Sequence, residues 1–290
     1  MAGMQEFYLV TTSHLENRLW FRDNEDFKVG MNVVALISSI LRVNVLAFVL
    51  MSNHVHFVLQ CSREMAEHFI TSIKNQYSRF YAKKYQCTEL LRRNEVDIRR
   101  VCQEDESLER AIAYVQVNPV AANICLSPSA YPWGSGNCFF QVVPEKGVPV
   151  ESLSRRKCIA LFHSRQVAPP GLVLNPDGYI TPSSFVKTQW VEGLFRTPKR
   201  MNYFLGSSSK ARRRLESEND VPAFRDQIVA SGMGDLCQSL FQSQSIEQLP
   251  EDQQSELLKQ IRYRFSSNIH QMVRVSGLPY ETVANLLDKM

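Results

Sequence analysis

The sequence predicts an α+β protein, a sheet packed by helices on one side, with an α-helical extension at its C-terminal end. Strand-like and helix-like segments alternate between residues 7 and 118, which predicts the sheet and its helices. From residue 246 onward the apolar pattern is helical only. We therefore expect an α+β domain at 1–140, a connecting region at 141–245 and a helical domain at 246–290.

The elements of the first part follow from residue types and their spacing. Strands are predicted where β-branched and aromatic residues dominate, at 7–12, 44–51 and 54–60. Helices are predicted where apolar residues recur with helical spacing, at 31–42, 64–85 and about 105–118. The segment 14–30 is predicted to be a loop, and the lysines of the second helix are expected to face outward. Pro119 is expected to end or kink the third helix just after Asn118, because proline has no N–H and restricts the residue before it.

The connecting region and the C-terminal part differ in composition. Prolines and glycines are frequent from 127 to 185, where only short helices are expected, at about 151–163 and 183–195. The C-terminal part predicts three helices, at about 251–265, 268–276 and 280–290, with Gly277 in a tight turn before the last. This order is typical of a helix-turn-helix, although helical hairpins of interaction modules have the same pattern. Its candidate DNA contacts are polar residues near the start of the last helix: Tyr280, Thr282 and Asn285.

The most informative feature is a pair of histidines, His54 and His56, in the strand predicted at 54–60. Side chains at i and i+2 of a strand point to the same face, so the two imidazoles lie side by side while Val55 points the other way. This is the geometry of a pair of metal ligands. A His-hydrophobe-His triplet also occurs by chance, so its weight depends on the rest of the sequence.

A second pattern lies in the helix predicted at about 105–118. Tyr114 and Asn118 are four residues apart, so they share one helix face near its C-terminal end. A phenolic hydroxyl and an amide oxygen therefore project together. Taken alone, the helix favours a plainer interpretation, in which Tyr114 is a half-buried core residue and Asn118 only ends the helix.

Three strings follow one another along the chain: Met-Ser-Asn-His-Val-His at 51–56, Tyr-Val-Gln-Val-Asn-Pro-Val-Ala-Ala at 114–122 and Ala-Tyr-Pro-Trp-Gly-Ser at 130–135. Together they resemble the single-tyrosine HUH transposases, in particular the branch associated with repetitive extragenic palindromes. The resemblance covers roughly residues 5–140. Ser52 stands where the family usually has proline and Gly134 where it usually has serine.

The resemblance implies a ferredoxin-like or RNA-recognition-motif-like sheet and a site that cleaves and rejoins DNA strands. Tyr114 would be the catalytic nucleophile and form a covalent 5′-phosphotyrosine, while His54, His56 and Asn118 would hold one divalent cation, Mg²⁺ or Mn²⁺. The substrate would be single-stranded DNA with hairpin or palindromic elements, bound by a monomer or a homodimer. Two other interpretations stay open: a domesticated, non-catalytic DNA-binding protein on the same scaffold, and a metal-dependent hydrolase.

Basic residues are concentrated in two segments of a chain whose net charge is only +4. Residues 71–100 carry eight basic and three acidic residues, and residues 198–214 carry six basic residues and no acidic one. Such clusters suit the phosphate backbone of DNA, although solvated helix faces have the same composition. The candidate DNA contacts are Lys74, Arg79, Lys83, Lys84, Arg92, Arg93, Arg212, Arg213 and Arg214. The rival nucleophiles, all on the helix predicted at 64–85, are Tyr77, Tyr81 and Tyr85.

The remaining composition argues against several classes of protein. No run approaches the roughly 18 apolar residues of a membrane span, and the first residues show no secretory signal. We therefore expect a cytoplasmic, nucleoid-associated protein with no membrane partner. The seven scattered cysteines include no Cys-x-x-Cys pair, which argues against zinc and disulfide frameworks.

Overall fold

The computed structural model describes most of the chain, in eight ranges: 6–12, 20–52, 54–86, 96–122, 124–143, 146–219, 226–265 and 267–288. Within these ranges, the side chains of residues 209–219, 227, 228 and 270 are not described. None of the helices in these ranges is long and apolar enough to cross a membrane. The cysteines they contain are free thiols.

Four strands form one antiparallel sheet: β1 (Phe7–Thr12), β2 (Asn44–Met51), β3 (His54–Gln60) and β4 (Val96–Val101). Their order is β2-β3-β1-β4, which is the order of a ferredoxin-like sheet. The three strands predicted from the sequence are confirmed. The fourth, β4, was not predicted, because it is an edge strand in which charged residues alternate with half-buried ones and none is fully buried.

Helix α1 (Asn24–Leu41) and helix α2 (Arg63–Tyr85) connect the strands. Helix α1 begins seven residues before the predicted start at 31, so the predicted loop is wrong over 24–30. The side chain of Asp23 accepts a hydrogen bond from the Asp26 backbone N–H at 2.9 Å and caps the helix. Polar residues of a helix cap and first turn have the same composition as a loop, which is why the pattern misled the prediction.

Helix α3 (Ser107–Ala121) continues past Pro119, so of the two expected outcomes an end at Asn118 does not occur. Proline removes one backbone donor, the one that would bond the carbonyl of Val115. The side-chain Nδ2 of Asn118 donates to the Tyr114 carbonyl at 2.8 Å and lies 3.5 Å from the Val115 carbonyl. A side-chain amide therefore bonds the part of the helix that proline leaves short of a donor.

The residues of β3 alternate between the two faces of the sheet. Phe57 packs on Phe69 of α2, with ring centroids 5.2 Å apart, so α2 covers one face, here called the α2 face. His56 points to the opposite face, where its ring centroid lies 5.4 Å from that of Tyr114 in α3. We call this the α3 face. Helices therefore cover both faces of the sheet, and the expectation that they cover one side only is wrong.

The predicted connecting region packs into the same core as the sheet. From residue 146 to residue 219 it contains a short hairpin and three α-helices: β5 (Val148–Pro149), β6 (Val173–Leu174), α4 (Arg155–Phe162), α5 (Thr188–Phe195) and α6 (Pro198–Asn219). Phe162, Phe195 and Phe204 are fully buried in the core that also holds the sheet. The short helices expected near 151–163 and 183–195 are thus present as α4 and α5, and the buried core continues past residue 140.

The C-terminal part is a helical bundle with its own apolar core. It consists of α7 (Asp226–Phe241), α8 (Glu251–Phe265), α9 (Ile269–Ser276) and α10 (Tyr280–Asp288). The last three helices were predicted, whereas α7 was not. Val229 and Leu236 of α7 pack in this core with Leu257 and Phe265 of α8, so the packed unit begins before residue 246. Gly277 has a φ of 72°, a left-handed conformation that suits glycine, in the turn predicted there.

Candidate active site

His54 and His56 stand at the start of β3 on the α3 face. Strand alternation places both imidazoles on this face, with ring centroids 4.8 Å apart and ring planes 85° from parallel. Both side chains are buried, with 7% of His54 and 0% of His56 exposed. The pairing predicted from the spacing of the two histidines is therefore present in the structure.

Thr11 on the neighbouring strand fixes the orientation of one imidazole. In the antiparallel register of β1 and β3, Thr11 lies opposite His56, and its Oγ1 is 3.0 Å from His56 Nδ1. With Nδ1 engaged by the hydroxyl, Nε2 is the ring nitrogen that could bind a metal ion. Thr11 was not predicted, because the sequence of β1 alone does not show which residue of β3 lies opposite it.

Tyr114 brings a hydroxyl group to the same face. Its ring stands edge-on to the ring of His56, with an interplanar angle of 81°. Tyr114 is half-buried, whereas the two histidines are buried. A substrate that enters from the surface can therefore meet the Tyr114 hydroxyl beside the imidazoles.

Asn118 lies one helical turn after Tyr114 and is fully buried. Its amide orientation is decided by its partners: the Tyr114 carbonyl only accepts hydrogen bonds, so the amide nitrogen faces the helix backbone. The side-chain Oδ1 is consequently directed away from that carbonyl. Asn118 thus holds the end of α3 with its nitrogen, and its oxygen is of the donor type that hard divalent cations prefer.

The donor set fits a divalent cation with open coordination positions. Two imidazoles and one amide oxygen are a mixed nitrogen and oxygen set, which suits Mg²⁺ or Mn²⁺ when water or phosphate oxygens complete the shell. Across the described ranges, no group of three or more His, Cys, Asp or Glu side chains could hold a metal ion. A metal site at the two histidines would therefore need a donor of another kind, and the Asn118 amide oxygen is the one predicted.

The three rival tyrosines lie on α2, which covers the opposite face of the sheet. Tyr77 is fully buried and donates its hydroxyl hydrogen to the Trp20 carbonyl, and burial raises its pKa well above the usual value. The Tyr85 hydroxyl donates to Asp26 Oδ2 at 2.8 Å, and burial together with Asp26 raises its pKa. Tyr81 is also fully buried. The structure therefore brings Tyr114, and none of these three, to the histidines.

The basic residues of α2 divide into two groups. Arg79 and Lys83 are exposed, as expected. Lys74 is only 7% exposed, so its predicted outward position is wrong; it lies four residues after Ile70 and three before Tyr77, which are both buried. Lys84 is held in ion pairs with Asp23, Glu25 and Asp26, at 2.7, 2.8 and 2.9 Å.

The structure describes only some of the other predicted DNA contacts. Arg92 and Arg93 lie outside the described residues, and Arg212, Arg213 and Arg214 lie in α6, where their side chains are not described. In α10, Tyr280 and Asn285 are exposed and Thr282 is half-buried. The start of α10, directly after the Gly277 turn, therefore presents polar side chains at the surface.

The helical bundle touches the turn that precedes the histidines. Ser52, which stands in place of the family's usual proline, is buried, and its Oγ donates to the backbone carbonyl of Arg264 in α8. The carbonyl of Ser52 accepts hydrogen bonds from the Trp20 and Phe21 backbone N–H groups at 2.8 and 3.0 Å. The Arg264 guanidinium also donates to the Phe21 carbonyl at 3.2 Å. A proline at position 52 has no hydroxyl group and could not donate this hydrogen bond, so the contact with Arg264 depends on the serine.

The sheet order and the helices between its strands define a ferredoxin-like α+β core. A family model described as "Transposase IS200 like" matches residues 10–96, a segment that includes His54 and His56 and ends before α3. The match supports a transposase of this family and therefore a protein that acts on DNA. No curated protein and no solved structure matches the chain.

Proposed function

We propose that this protein is a single-tyrosine HUH transposase of the branch associated with repetitive extragenic palindromes, which cleaves and rejoins single-stranded DNA. The observation that carries the proposal is the placement of the half-buried Tyr114 ring 5.4 Å from the His56 ring, on the sheet face that also holds His54. The IS200-like match over the strand that bears both histidines supports the same reaction class. Its substrate is DNA with hairpin or palindromic elements.

His54 and His56, with the Asn118 oxygen, would hold one Mg²⁺ or Mn²⁺ ion. When bound, such an ion neutralises charge on the scissile phosphate and helps to orient it. Thr11 keeps the His56 ring in one orientation through its contact with Nδ1. The buried surroundings of both imidazoles exclude water, which strengthens their interaction with a charged ligand.

Tyr114 supplies the nucleophile. Its hydroxyl gives up the proton, the phenolic oxygen attacks the phosphorus, and the bond from phosphorus to the 3′ oxygen breaks. The leaving strand ends in a 3′-hydroxyl, and the other strand end becomes a 5′-phosphotyrosine on Tyr114. Because a phosphodiester replaces a phosphodiester, a second 3′-hydroxyl can reverse the step and rejoin the DNA.

The helical bundle recognises the DNA beside the cut. Helix α10 follows the Gly277 turn and presents Tyr280, Thr282 and Asn285 near its start, the position from which a recognition helix contacts base edges. This supports a helix-turn-helix role for residues 246–290. Alanine at Tyr280 and Asn285 should reduce the affinity ratio between cognate and scrambled duplex sites; an unchanged ratio would remove α10 from DNA recognition.

A covalent adduct assay tests the proposed reaction. The protein is incubated with a labelled single-stranded oligonucleotide and Mn²⁺ and then run on a denaturing gel. Tyr114→Phe should abolish the shifted protein–DNA band, whereas the matched control Tyr85→Phe, which also removes one hydroxyl, should retain it. Binding without any adduct in the unaltered protein would favour the non-catalytic DNA-binding protein, and cleaved but unlinked product would favour a hydrolase.

A further inference from the structure

A second basic site lies between α2 and the segment around α4. A cavity of about 450 Å³ opens here, lined by Arg79, Phe80, Lys83, His163, Ser164 and Arg165, among others. Two of its basic residues come from α2 and the third from the chain after α4. The segment that the sequence predicted as a connecting region therefore completes a surface that begins on the ferredoxin-like core.

The α4 segment is held firmly against this core. Its Phe162 side chain is fully buried, and the Phe162 carbonyl accepts a hydrogen bond from Gln76 Nε2 of α2 at 2.9 Å. The neighbouring Leu161 carbonyl accepts one from Asn32 Nδ2 of α1 at 3.3 Å. These bonds hold the end of α4 against α1 and α2, and the cavity opens directly beside this contact.

The three cationic side chains of the cavity are available to an anion. Arg79, Lys83 and Arg165 are all exposed, and within the described ranges none of them forms an ion pair. The lining contains no Asp or Glu. Lys84, next to Lys83 in the sequence, differs from these residues because it forms ion pairs with three carboxylates. Several positive charges with no carboxylate in the lining itself attract phosphate groups.

An aromatic platform stands beside these charges. The His163 ring packs at a tilt against the Phe80 ring, with centroids 4.8 Å apart and planes at 50°. His163 is exposed, and burial of part of its ring lowers its pKa, which favours the neutral ring. Basic residues next to an exposed aromatic surface are the combination by which proteins hold single-stranded nucleic acid, through phosphate contacts and base stacking.

We propose that this cavity, formed by Arg79, Lys83, Arg165 and His163, binds single-stranded DNA that flanks the cut, with phosphates on the cations and a base on His163. The inference rests on the proposed function for its choice of DNA as ligand. Helix α2 covers the sheet face opposite Tyr114. The cavity therefore holds a distant part of the strand and contributes nothing to the reacting phosphate.

The salt dependence of DNA binding tests whether the three basic residues of the cavity contact phosphates. The variant Arg79→Gln/Lys83→Gln/Arg165→Gln is compared with a control of equal charge change, Arg42→Gln/Arg63→Gln/Arg99→Gln, whose residues are exposed and line no part of this cavity. Affinity for a long single-stranded oligonucleotide is measured by fluorescence anisotropy at several salt concentrations. The slope of log affinity against log salt should fall by about 2 in the cavity variant, because each lost phosphate contact removes about 0.7. An equal fall in the control, or no fall in the cavity variant, would overturn the proposal.

A short oligonucleotide that spans only the cut separates this proposal from the proposed function. On this short strand, adduct formation by the unaltered protein reports on Tyr114 alone. If the unaltered protein forms no adduct, the proposed function fails, while the salt slopes on the long strand still report on the cavity. A slope change seen with duplex DNA and not with the single strand would overturn the single-strand assignment.

The stacking role of His163 has its own test. His163→Ala should weaken binding of the long single strand about tenfold, and His163→Phe should keep it, since the flat ring is retained without a titrating group. Both variants place a non-glycine residue at the same left-handed backbone position, whose φ is 47°. Equal loss in the two variants would show that the aromatic surface is not used.

Discussion

The two faces of the sheet both bury polar side chains, and they use them differently. On the α2 face, Asp26 is 0% exposed and accepts hydrogen bonds from Lys84 Nζ, from the Tyr85 hydroxyl and from the Arg22 backbone N–H. On the α3 face, two imidazoles and a tyrosine ring meet, and no carboxylate among the described residues joins the two histidines in a metal-binding group. The first arrangement holds elements together, and the second is the proposed site of the reaction.

The comparison shows why the number of tyrosines or lysines in a segment does not locate a site. Helix α2 carries Tyr77, Tyr81 and Tyr85 and several basic residues, yet its tyrosines are in hydrogen bonds or fully buried. Helix α3 contributes Tyr114 alone, which lies beside the histidines. The polar groups of α2 support the fold, whereas we propose that Tyr114 of α3 meets the substrate. The difference follows from the sheet face that each helix covers.

The largest loss of cleavage is expected from substitutions on the α3 face. His54→Ala and His56→Ala should each reduce metal-dependent cleavage below detection, and Asn118→Ala should reduce it less, because an amide oxygen is the weakest of the three donors. Cleavage is measured on a labelled oligonucleotide with and without a chelator. Circular dichroism controls for folding. Cleavage that continues unchanged in the chelator would contradict the metal assignment.

A smaller effect on the same face concerns Thr11. Thr11→Val keeps the shape of the side chain and removes the hydroxyl that contacts His56 Nδ1, so metal affinity should fall about 10- to 100-fold. Thr11→Ser restores a hydroxyl and should recover most of the affinity. Isothermal titration with Mn²⁺ measures both. Equal affinities for the valine and serine variants would show that Thr11 does not orient the imidazole.

On the α2 face, stability should change and chemistry should not. Lys84→Met removes the ammonium group that bonds the buried Asp26 carboxylate at 2.9 Å, and the free energy of unfolding should fall by about 2 kcal/mol. Lys83→Met, at the exposed neighbouring position, should change it by less than about 0.5 kcal/mol. Urea denaturation measures the difference. Adduct formation on a short oligonucleotide should be retained in both variants, and its loss in Lys84→Met would contradict the separation of the two faces.

The smallest effect concerns the turn that links the sheet to the helical bundle. Ser52→Ala removes the hydrogen bond to the Arg264 carbonyl and should lower the free energy of unfolding by about 1 kcal/mol. Ser152→Ala removes a similar bond, to the Pro149 carbonyl at 2.7 Å, at an exposed position and should have almost no effect. Equal effects in urea denaturation would mean that the Ser52 contact does not stabilise the docked bundle.

Strongly patterned elements were predictable, and elements with mixed patterns were not. Strand β2 is almost entirely apolar, and β3 is rich in valine and other apolar residues; both were found with their observed bounds. Strand β4 was missed because half of its residues are charged, and the start of α1 was missed because its cap residues are typical of loops. Helix α3 continues through Pro119 because a side-chain amide bonds the neighbouring carbonyls.

The candidate site shows the same division. The shared face of His54 and His56 follows from strand alternation, and the shared face of Tyr114 and Asn118 follows from helical spacing. Thr11 could not be found, because its role depends on the register of β1 against β3. The α2–α4 cavity could not be found either, since Arg79 and Arg165 are brought together only by packing.

Peptide mapping of the covalent adduct tests the central claim most directly. The protein is linked to a short oligonucleotide labelled at one end, digested with protease and nuclease, and the modified peptide is identified by mass spectrometry. We predict a nucleotide joined through its 5′ phosphate to the peptide that contains Tyr114. A nucleotide on the α2 peptides that contain Tyr77, Tyr81 or Tyr85, or one joined through a 3′ phosphate, would contradict the assignment of Tyr114 and the α3 face as the site of cleavage.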